Sequence, residues 1–294
     1  MKAISIGIAG LGTVAQGVLT LLAANRSLIE QRSGVSVDVV RVASRSARPD
    51  VDLQGADFST DVMDLLSDSR IDLIVELIGG ETLAKQLIVG ALSNGKAVVT
   101  ANKAVIALYG NELSRQALRF EAAVAGAIPI IHALQQGLVA NRFTAVSGII
   151  NGTCNYMLSA MEEEGVGFDE ILERAQTLGY AEADPTFDVD GIDAAHKLTI
   201  LMALAFGTQF EFAKVYVEGI RAITLTDISY AAELGYRIKH LGILRSNPDG
   251  IEARVHPTLV PHGELVAHVN GVLNAVQVVS DAAGKTLFLS LIHI

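Results

Sequence analysis

The stretch Ala3-Ile-Ser-Ile-Gly-Ile-Ala-Gly10-Leu-Gly12-Thr-Val-Ala15-Gln-Gly17 decides the fold. Apart from Ser5 its first seven residues are apolar, and they run straight into glycines, the pattern of a short parallel strand buried on both faces. The remainder reads G-x-G-x-x-A and enters a helical repeat carried by Val14, Val18, Leu21, Leu22 and Ile29. Glycines at such a strand-to-helix turn let a pyrophosphate approach the backbone N–H groups of the helix N-terminus. The same string also describes a glycine turn that only packs helix on strand. Its place between a strand and a helix favours dinucleotide binding.

Further strands read at 35–43, 71–77 and 97–100, with a candidate fifth at 122–125 and a helix over 83–92. Strands alternating with helices predict an α/β architecture, a Rossmann-type doubly wound parallel sheet over residues 1–131. Right-handed crossovers place every strand-to-helix turn on one edge of that sheet. The rhythm changes after Pro129: a strand at 143–150, helices at 152–165 and 169–178, and a nearly all-apolar helix at 198–206. A strand at 215–220 and alternating residues at 238–260, broken by Asn247-Pro-Asp-Gly250, add a hairpin. Residues 132–270 are therefore expected to form an α+β domain on a mixed or antiparallel sheet.

Twenty-two basic against thirty-two acidic side chains give a net charge of −10, which disfavours a general nucleic-acid binder. A long run without Asp, Glu, Lys or Arg, 122–141, contains Pro129, Gln135, Gln136 and glycines and is no membrane span. The opening is too short and too soon glycine-rich for a signal peptide. The single cysteine, Cys154, rules out an internal disulfide framework, fits a reducing compartment and reads as a small core hydrophobe. A soluble cytoplasmic protein with a small-molecule partner is expected.

Where NAD binders place an acid at the end of the second strand, this chain has Ala43-Ser44-Arg45-Ser46. A cation among hydroxyls suits the 2′-phosphate of NADP, with Arg45 as anchor and NAD as the alternative. A solvated surface arginine is the other reading. Thr100-Ala-Asn102-Lys103 follows the fourth strand at its carboxyl end, where ligands sit in such sheets. Lys103 there either reaches the nicotinamide or substrate, or is an ordinary lysine at a helix start.

Glu182-Ala-Asp184-Pro-Thr-Phe-Asp188-Val-Asp190-Gly-Ile-Asp193-Ala-Ala-His196-Lys197 puts five carboxylates ahead of a buried helix. Charges there are expensive to desolvate unless paired or used. Asp193 and Lys197, four apart, share a helix face in the supportive order. The other reading has Asp190 as the helix N-cap and Asp193 in the first turn, which would explain much of the acidity. Lys197 is harder to dismiss, because a lysine on a largely buried helix is recovered by a nearby acid and can then pass a proton. His196 points away and reads as structural. Glu182, on the preceding loop, can bind an ammonium group, which suits a zwitterionic amino-acid substrate.

Assembled in order, these pieces resemble the homoserine dehydrogenase family from Ile4 to about Phe288. The matching motifs are Gly10-Leu-Gly-Thr-Val14, Val75-Glu-Leu-Ile-Gly-Gly80, Val99-Thr-Ala-Asn-Lys103, Gly148-Ile-Ile-Asn-Gly-Thr153, Gly179-Tyr-Ala-Glu182 and Asp188-Val-Asp-Gly-Ile-Asp193-Ala-Ala-His-Lys197. The resemblance implies reversible, NAD(P)H-dependent reduction of L-aspartate 4-semialdehyde to L-homoserine, in the threonine and methionine branch of the aspartate pathway. It implies Lys197 as proton donor with Lys103 beside it, and Glu182, Asp188, Asp193, Tyr180 and Thr153 around the substrate. Gly10, Gly12, Thr13, Val14, Arg45, Gly79, Gly80, Thr100, Lys103, Gly179 and Glu182 would meet the cofactor. A monovalent cation, Na+, is implied near Glu121, Val124, Gly126 and Ile128, mostly on carbonyls, with a purely structural turn as the alternative.

The resemblance also implies a homodimer or homotetramer, with residues 132–270 serving substrate binding, catalysis and dimerisation. The tail Leu289-Ser-Leu-Ile-His-Ile294 departs from the family, which continues with a glycine- and proline-rich turn and a returning helix. Residues 271–294 are accordingly expected as a truncated return segment toward the nucleotide domain. Threonine feedback through an ACT domain finds no support in the chain. Another Rossmann oxidoreductase, or a truncated protein that binds dinucleotide without turnover, are the rival readings.

Overall fold

The computed structural model describes residues 2–290, and the chain divides into two compact units, Met1–Ala123 and Val124–Ile294. The first unit holds strands β1 (Lys2–Ala9), β2 (Val35–Ala43), β3 (Asp57–Ser59), β4 (Leu73–Glu76), β5 (Ala97–Thr100) and β6 (Leu118–Arg119). They form one sheet in the order β3-β2-β1-β4-β5-β6, parallel throughout. The order reverses between β1 and β4, and that switch point opens a crevice at the carboxyl ends of the strands. Ile6 and Ile8 of β1 pack with Ala15 and Leu19 of the following helix, Thr13–Ala24, and with Val42 and Val75 of the flanking strands. This is why the opening stretch folds as it does: both faces of β1 are apolar because both are covered.

The doubly wound sheet is as expected, with local differences. The helical pattern 14–29 is two helices, Thr13–Ala24 and Arg26–Ser33, interrupted at Asn25. The edge strand is β6 rather than 122–125. There a turn of 3-10 helix, Glu121–Ala123, leads into Ala125 and Gly126, whose φ of 57° and 56° end any extended run. The three-residue β3, with Asp and Ser around a single Phe, carries too little apolar pattern to be read from sequence.

The second unit is built on a six-stranded sheet of β7 (Phe143–Ile149), β8 (Tyr216–Val217), β9 (Tyr236–Asn247), β10 (Gly250–Pro261), β11 (Asn274–Ser280) and β12 (Gly284–Ser290). The order is β12-β11-β7-β9-β10-β8, antiparallel except for the β8–β10 pair, so the sheet is mixed. Asn247-Pro-Asp-Gly250 closes the long β9–β10 hairpin as the turn residues predict. The strand expected at 215–220 shrinks to β8, because the Ile220 N–H leaves the ladder and donates to the Val189 carbonyl at 2.8 Å. Residues 274–290, expected within a return segment, instead form β11 and β12, with β11 paired on β7. The rest of that expectation, 291–294, lies outside the described residues.

Helices Gly152–Glu164 and Ile192–Phe206 pack on this sheet. Ile192–Phe206 approaches closely because β9 offers Gly242, where a Cβ would sit 3.0 Å from the side chains of Ile150 and Leu198. On β9 too, Lys239 is buried, donating to the Val269 carbonyl at 2.8 Å and to Asn270 Oδ1 at 2.9 Å. Burial lowers its pKa to about 8. A folded-state value below the unfolded one means that unfolding takes up a proton, so this group's contribution to stability rises as pH climbs from about 8 to 10.5. Urea unfolding at pH 8 and pH 10 is expected to show that gain in the native chain, on the order of 2–3 kcal/mol, and to lose it in Lys239→Met.

Candidate functional site

In the first unit, the carboxyl ends of β1, β2 and β4 surround a cavity of about 580 Å³ whose walls include Gly10, Gly12, Ser44, Arg45, Gly79 and Gly80. Arg48 also lines it, a cation that the sequence reading passed over. Gly10 has φ of 102°, and a Cβ there would lie 2.6 Å from the Leu77 carbonyl oxygen, so the turn itself demands glycine. Gly12 is different. Its φ of −77° suits any residue, and no protein atom lies within 4 Å of a Cβ placed on it. Neither backbone nor packing needs glycine there, so the missing side chain serves the open space in front of the helix N-terminus. Thr13 and Val14 begin that helix with exposed side chains.

A second, smaller cavity of about 170 Å³ lies beside it, sharing Leu77 and Gly79 and adding Val14, Glu76, Ala101 and Asn102. Its floor is a buried network. Ile78 N–H donates to Glu76 Oε1 at 3.0 Å, and Thr100 Oγ1 donates to Glu76 Oε2. Thr100 Oγ1 also accepts from Asn102 N–H at 2.9 Å, and the Asn102 amide donates to the Gly80 carbonyl at 2.7 Å. Asn102 Oδ1 then caps the helix Lys103–Tyr109 by accepting from Val105 N–H. Lys103, half-buried, is the first residue of that helix. Thr100 is thus a fully buried scaffold residue, while Lys103 is placed by the cap before it.

In the second unit, the acidic stretch comes apart into separate jobs. Hydrogen bonding to the Thr186 side chain, and to the Thr186 N–H, holds the Asp184 carboxyl below the usual range. Asp190 pairs with Arg221 at 2.5 Å and does not cap the following helix; Gly191 occupies the N-cap position of Ile192–Phe206. Asp188 Oδ1 accepts from the Asn151 side chain at 2.8 Å. Asp193 Oδ2 accepts from the same amide at 2.8 Å and from Lys197 Nζ at 2.7 Å. Lys197 Nζ donates also to the Ile150 carbonyl at 2.7 Å. The Asp193 side chain is 4% exposed and that of Lys197 16%, so the pair is desolvated but the ammonium keeps an opening.

Asn151 is the residue that sequence reasoning missed. Its Oδ1 caps helix Gly152–Glu164 by accepting from Cys154 N–H, while its amide bridges two carboxylates. The cap signal was visible, an Asn just before a helix, but not its second use. Thr153 Oγ1 donates to the Tyr180 carbonyl at 2.6 Å, and the Tyr180 ring meets Tyr156 edge-on at 4.9 Å. Gly179 and Glu182 flank it on an exposed loop whose carbonyl at Glu182 accepts from Gln176. His196 packs between Phe187 and Phe212, consistent with a structural ring. Cys154 is fully buried, and burial raises its thiol well above the usual value, so it is no nucleophile.

Of the residues expected to hold a cation, Glu121 falls in the first unit and Val124, Gly126 and Ile128 in the second. Among the described residues no cluster of three or more His, Cys, Asp or Glu could hold a metal ion. Also among them, no helix is long and apolar enough to cross a membrane.

A parallel sheet with this strand order, a glycine turn at a helix N-terminus and a cavity on its switch point define a dinucleotide-binding α/β protein with a separate second unit. The comparison with known proteins narrows that class. The family model of homoserine dehydrogenase matches residues 129–291, and the model of that family's NAD-binding domain matches residues 10–126. The homoserine dehydrogenase of Pseudomonas aeruginosa is 52% identical over 98% of this chain and 68% of its own length; that of Bacillus subtilis is 42% identical with the same coverage. A crystal structure of a homoserine dehydrogenase from Thiobacillus denitrificans superposes with a TM-score of 0.95 at 52% identity, covering 99% of this chain and 69% of that one. The chain belongs to the homoserine dehydrogenase family, and its first unit binds a nicotinamide dinucleotide.

The two glycines separate fold from ligand. Gly12→Ala is expected to stay within about 1 kcal/mol of native stability while losing at least tenfold in dinucleotide affinity. Gly10→Ala is expected to lose about 1–3 kcal/mol or more of stability. Thermal unfolding alongside fluorescence titration with NADPH checks both.

Proposed function

We propose that this chain catalyses the reversible NAD(P)H-dependent interconversion of L-aspartate 4-semialdehyde and L-homoserine, with Lys197 as the proton donor. The observation that carries the role of Lys197 is its ammonium, nearly enclosed, fixed by Asp193 and the Ile150 carbonyl, yet still 16% open. When bound, the reduced nicotinamide supplies the hydride to the aldehyde carbon. Lys197 neutralises the developing alkoxide and gives it a proton, the use of preset charge that pays best in a water-poor site. Asp193 and Asn151 act through Lys197: they hold the ammonium in place and offset its desolvation.

Glu182, exposed on its loop, and Asp188 supply negative charge for the substrate ammonium, with Thr153 and Tyr180 shaping that wall. Lys103 would serve the carbonyl end beside the cofactor, set by the Asn102 cap. In the first unit, the glycine turn holds the pyrophosphate, and Ser44, Arg45 and Ser46 on the same cavity wall favour the 2′-phosphate of NADP over NAD. Gly79 and Gly80 line that cavity with exposed backbone, and Gly179 with Glu182 would reach the nicotinamide end.

A monovalent cation is proposed on backbone oxygens of Val124, Gly126 and Ile128 together with Glu121, since hard cations take oxygen ligands. The enzyme is proposed to work in the cytoplasm as a homodimer or homotetramer; the buried reduced cysteine and the family resemblance support this.

Lys197→Ala is expected to lower kcat for homoserine oxidation by about 100-fold or more while leaving the Kd for NADP within about twofold. Turnover near that of the native chain would refute the assignment. Arg45→Ala is expected to raise KM for NADP about tenfold with little change for NAD, read from the two KM values; an unchanged ratio removes the NADP preference.

A further inference from the structure

Glu76 is the carboxylate that the proposed chemistry leaves without a task. It ends β4, is fully buried, and faces Thr100 across the register of β4 and β5. Both of its oxygens accept: Oε1 from Ile78 N–H, Oε2 from the Thr100 hydroxyl. That hydroxyl already accepts from Asn102 N–H, so its own hydrogen is the one directed at Glu76. Such a donor set is the one that stabilises a carboxylate anion. The sheet has many ways to close this corner without a charge. A buried charge kept here is costly unless something beside it uses the field.

The smaller cavity, which Glu76 lines with Val14, Leu77, Gly79, Ala101 and Asn102, says what that is. A dinucleotide whose pyrophosphate lies on Gly10–Gly12, with its adenosine half toward Ser44 and Arg45, has its other half past Gly79 and into this space. The nicotinamide ring carries a positive charge when oxidised and none when reduced. We propose that Glu76 is an electrostatic selector of the cofactor's redox state, its buried carboxylate stabilising the oxidised, cationic ring over the reduced, neutral one. The inference rests on the dinucleotide reading of the cavity and deepens it. In a low-dielectric corner such a charge acts over several ångströms with little screening. It holds the oxidised product longer and moves the on-enzyme equilibrium toward semialdehyde reduction.

The test is the pair of dissociation constants for NADP+ and NADPH, measured by calorimetry on the full chain without substrate. Glu76→Gln keeps shape and removes charge. It is expected to weaken NADP+ at least fivefold while NADPH changes less than twofold. Thr100→Val, which removes two hydrogen bonds but no charge, is expected to leave the ratio of the two constants within twofold. Val14→Lys places an opposing charge on an exposed wall of the same cavity and leaves the network intact. It is expected to shift the ratio in the same direction as Glu76→Gln, and it decides the matter if Glu76→Gln does not fold. Equal losses for both redox forms, or an unmoved ratio, overturn the proposal. Failure of the native chain to bind either form would instead overturn the dinucleotide reading of the cavity.

Discussion

The second unit depends on one ion pair, Lys197 with Asp193, a single turn apart on the helix Ile192–Phe206. Desolvating the two charges costs several kcal/mol for each ion, and their attraction at an effective dielectric constant of about 20 is of similar size. The pair alone would roughly break even. Three further hydrogen bonds decide the balance: the Ile150 carbonyl accepts from a second N–H of Lys197, and Asn151 donates to both Asp193 and Asp188. Removing either member of the pair strands a buried charge, a loss of about 3–5 kcal/mol. Apart from His196 and Thr199 the rest of the helix is hydrocarbon and is drawn against the sheet at Gly242, so the cluster cannot relax into water without unseating the core.

The first unit solves a related problem with backbone. Gly10 brings the turn against Leu77, and Gly12 leaves the helix N-terminus bare, its N–H groups open to an anion. The Glu76–Thr100–Asn102 network then fixes the loops after β4 and β5 to each other through the Gly80 carbonyl. Both units place charge by first spending structure on holding it still, which is what electrostatic catalysis requires.

Much of this was legible in the sequence, for identifiable reasons. The opening strand and its glycines give the parallel sheet because apolar runs followed by glycine have few other uses, and Asn247-Pro-Asp-Gly250 gives the β9–β10 hairpin. The Asp193–Lys197 pair follows from helical spacing alone. The rest turns on contacts between residues far apart in the chain. Asp190 looked like a cap, but Arg221, thirty-one residues on, takes it. Asn151 caps the next helix, yet its amide meets carboxylates thirty-seven and forty-two residues away, which no local pattern encodes. The helix Leu225–Glu233 was passed over although its capping box, Thr224 with Asp227, was there to read. β11 and β12 were missed because a family expectation for the end of the chain stood in for their own alternation.

The role proposed for the Lys197 ammonium is delivery of the proton to the substrate oxygen. Chemical rescue of Lys197→Ala by small primary amines tests it most directly, because an amine in the vacated space restores the proton donor and nothing else. Semialdehyde reduction is expected to rise with amine concentration and to follow the acidity of the ammonium ion supplied. A rate indifferent to every amine tried, in a variant that still binds its cofactor and folds, would contradict it.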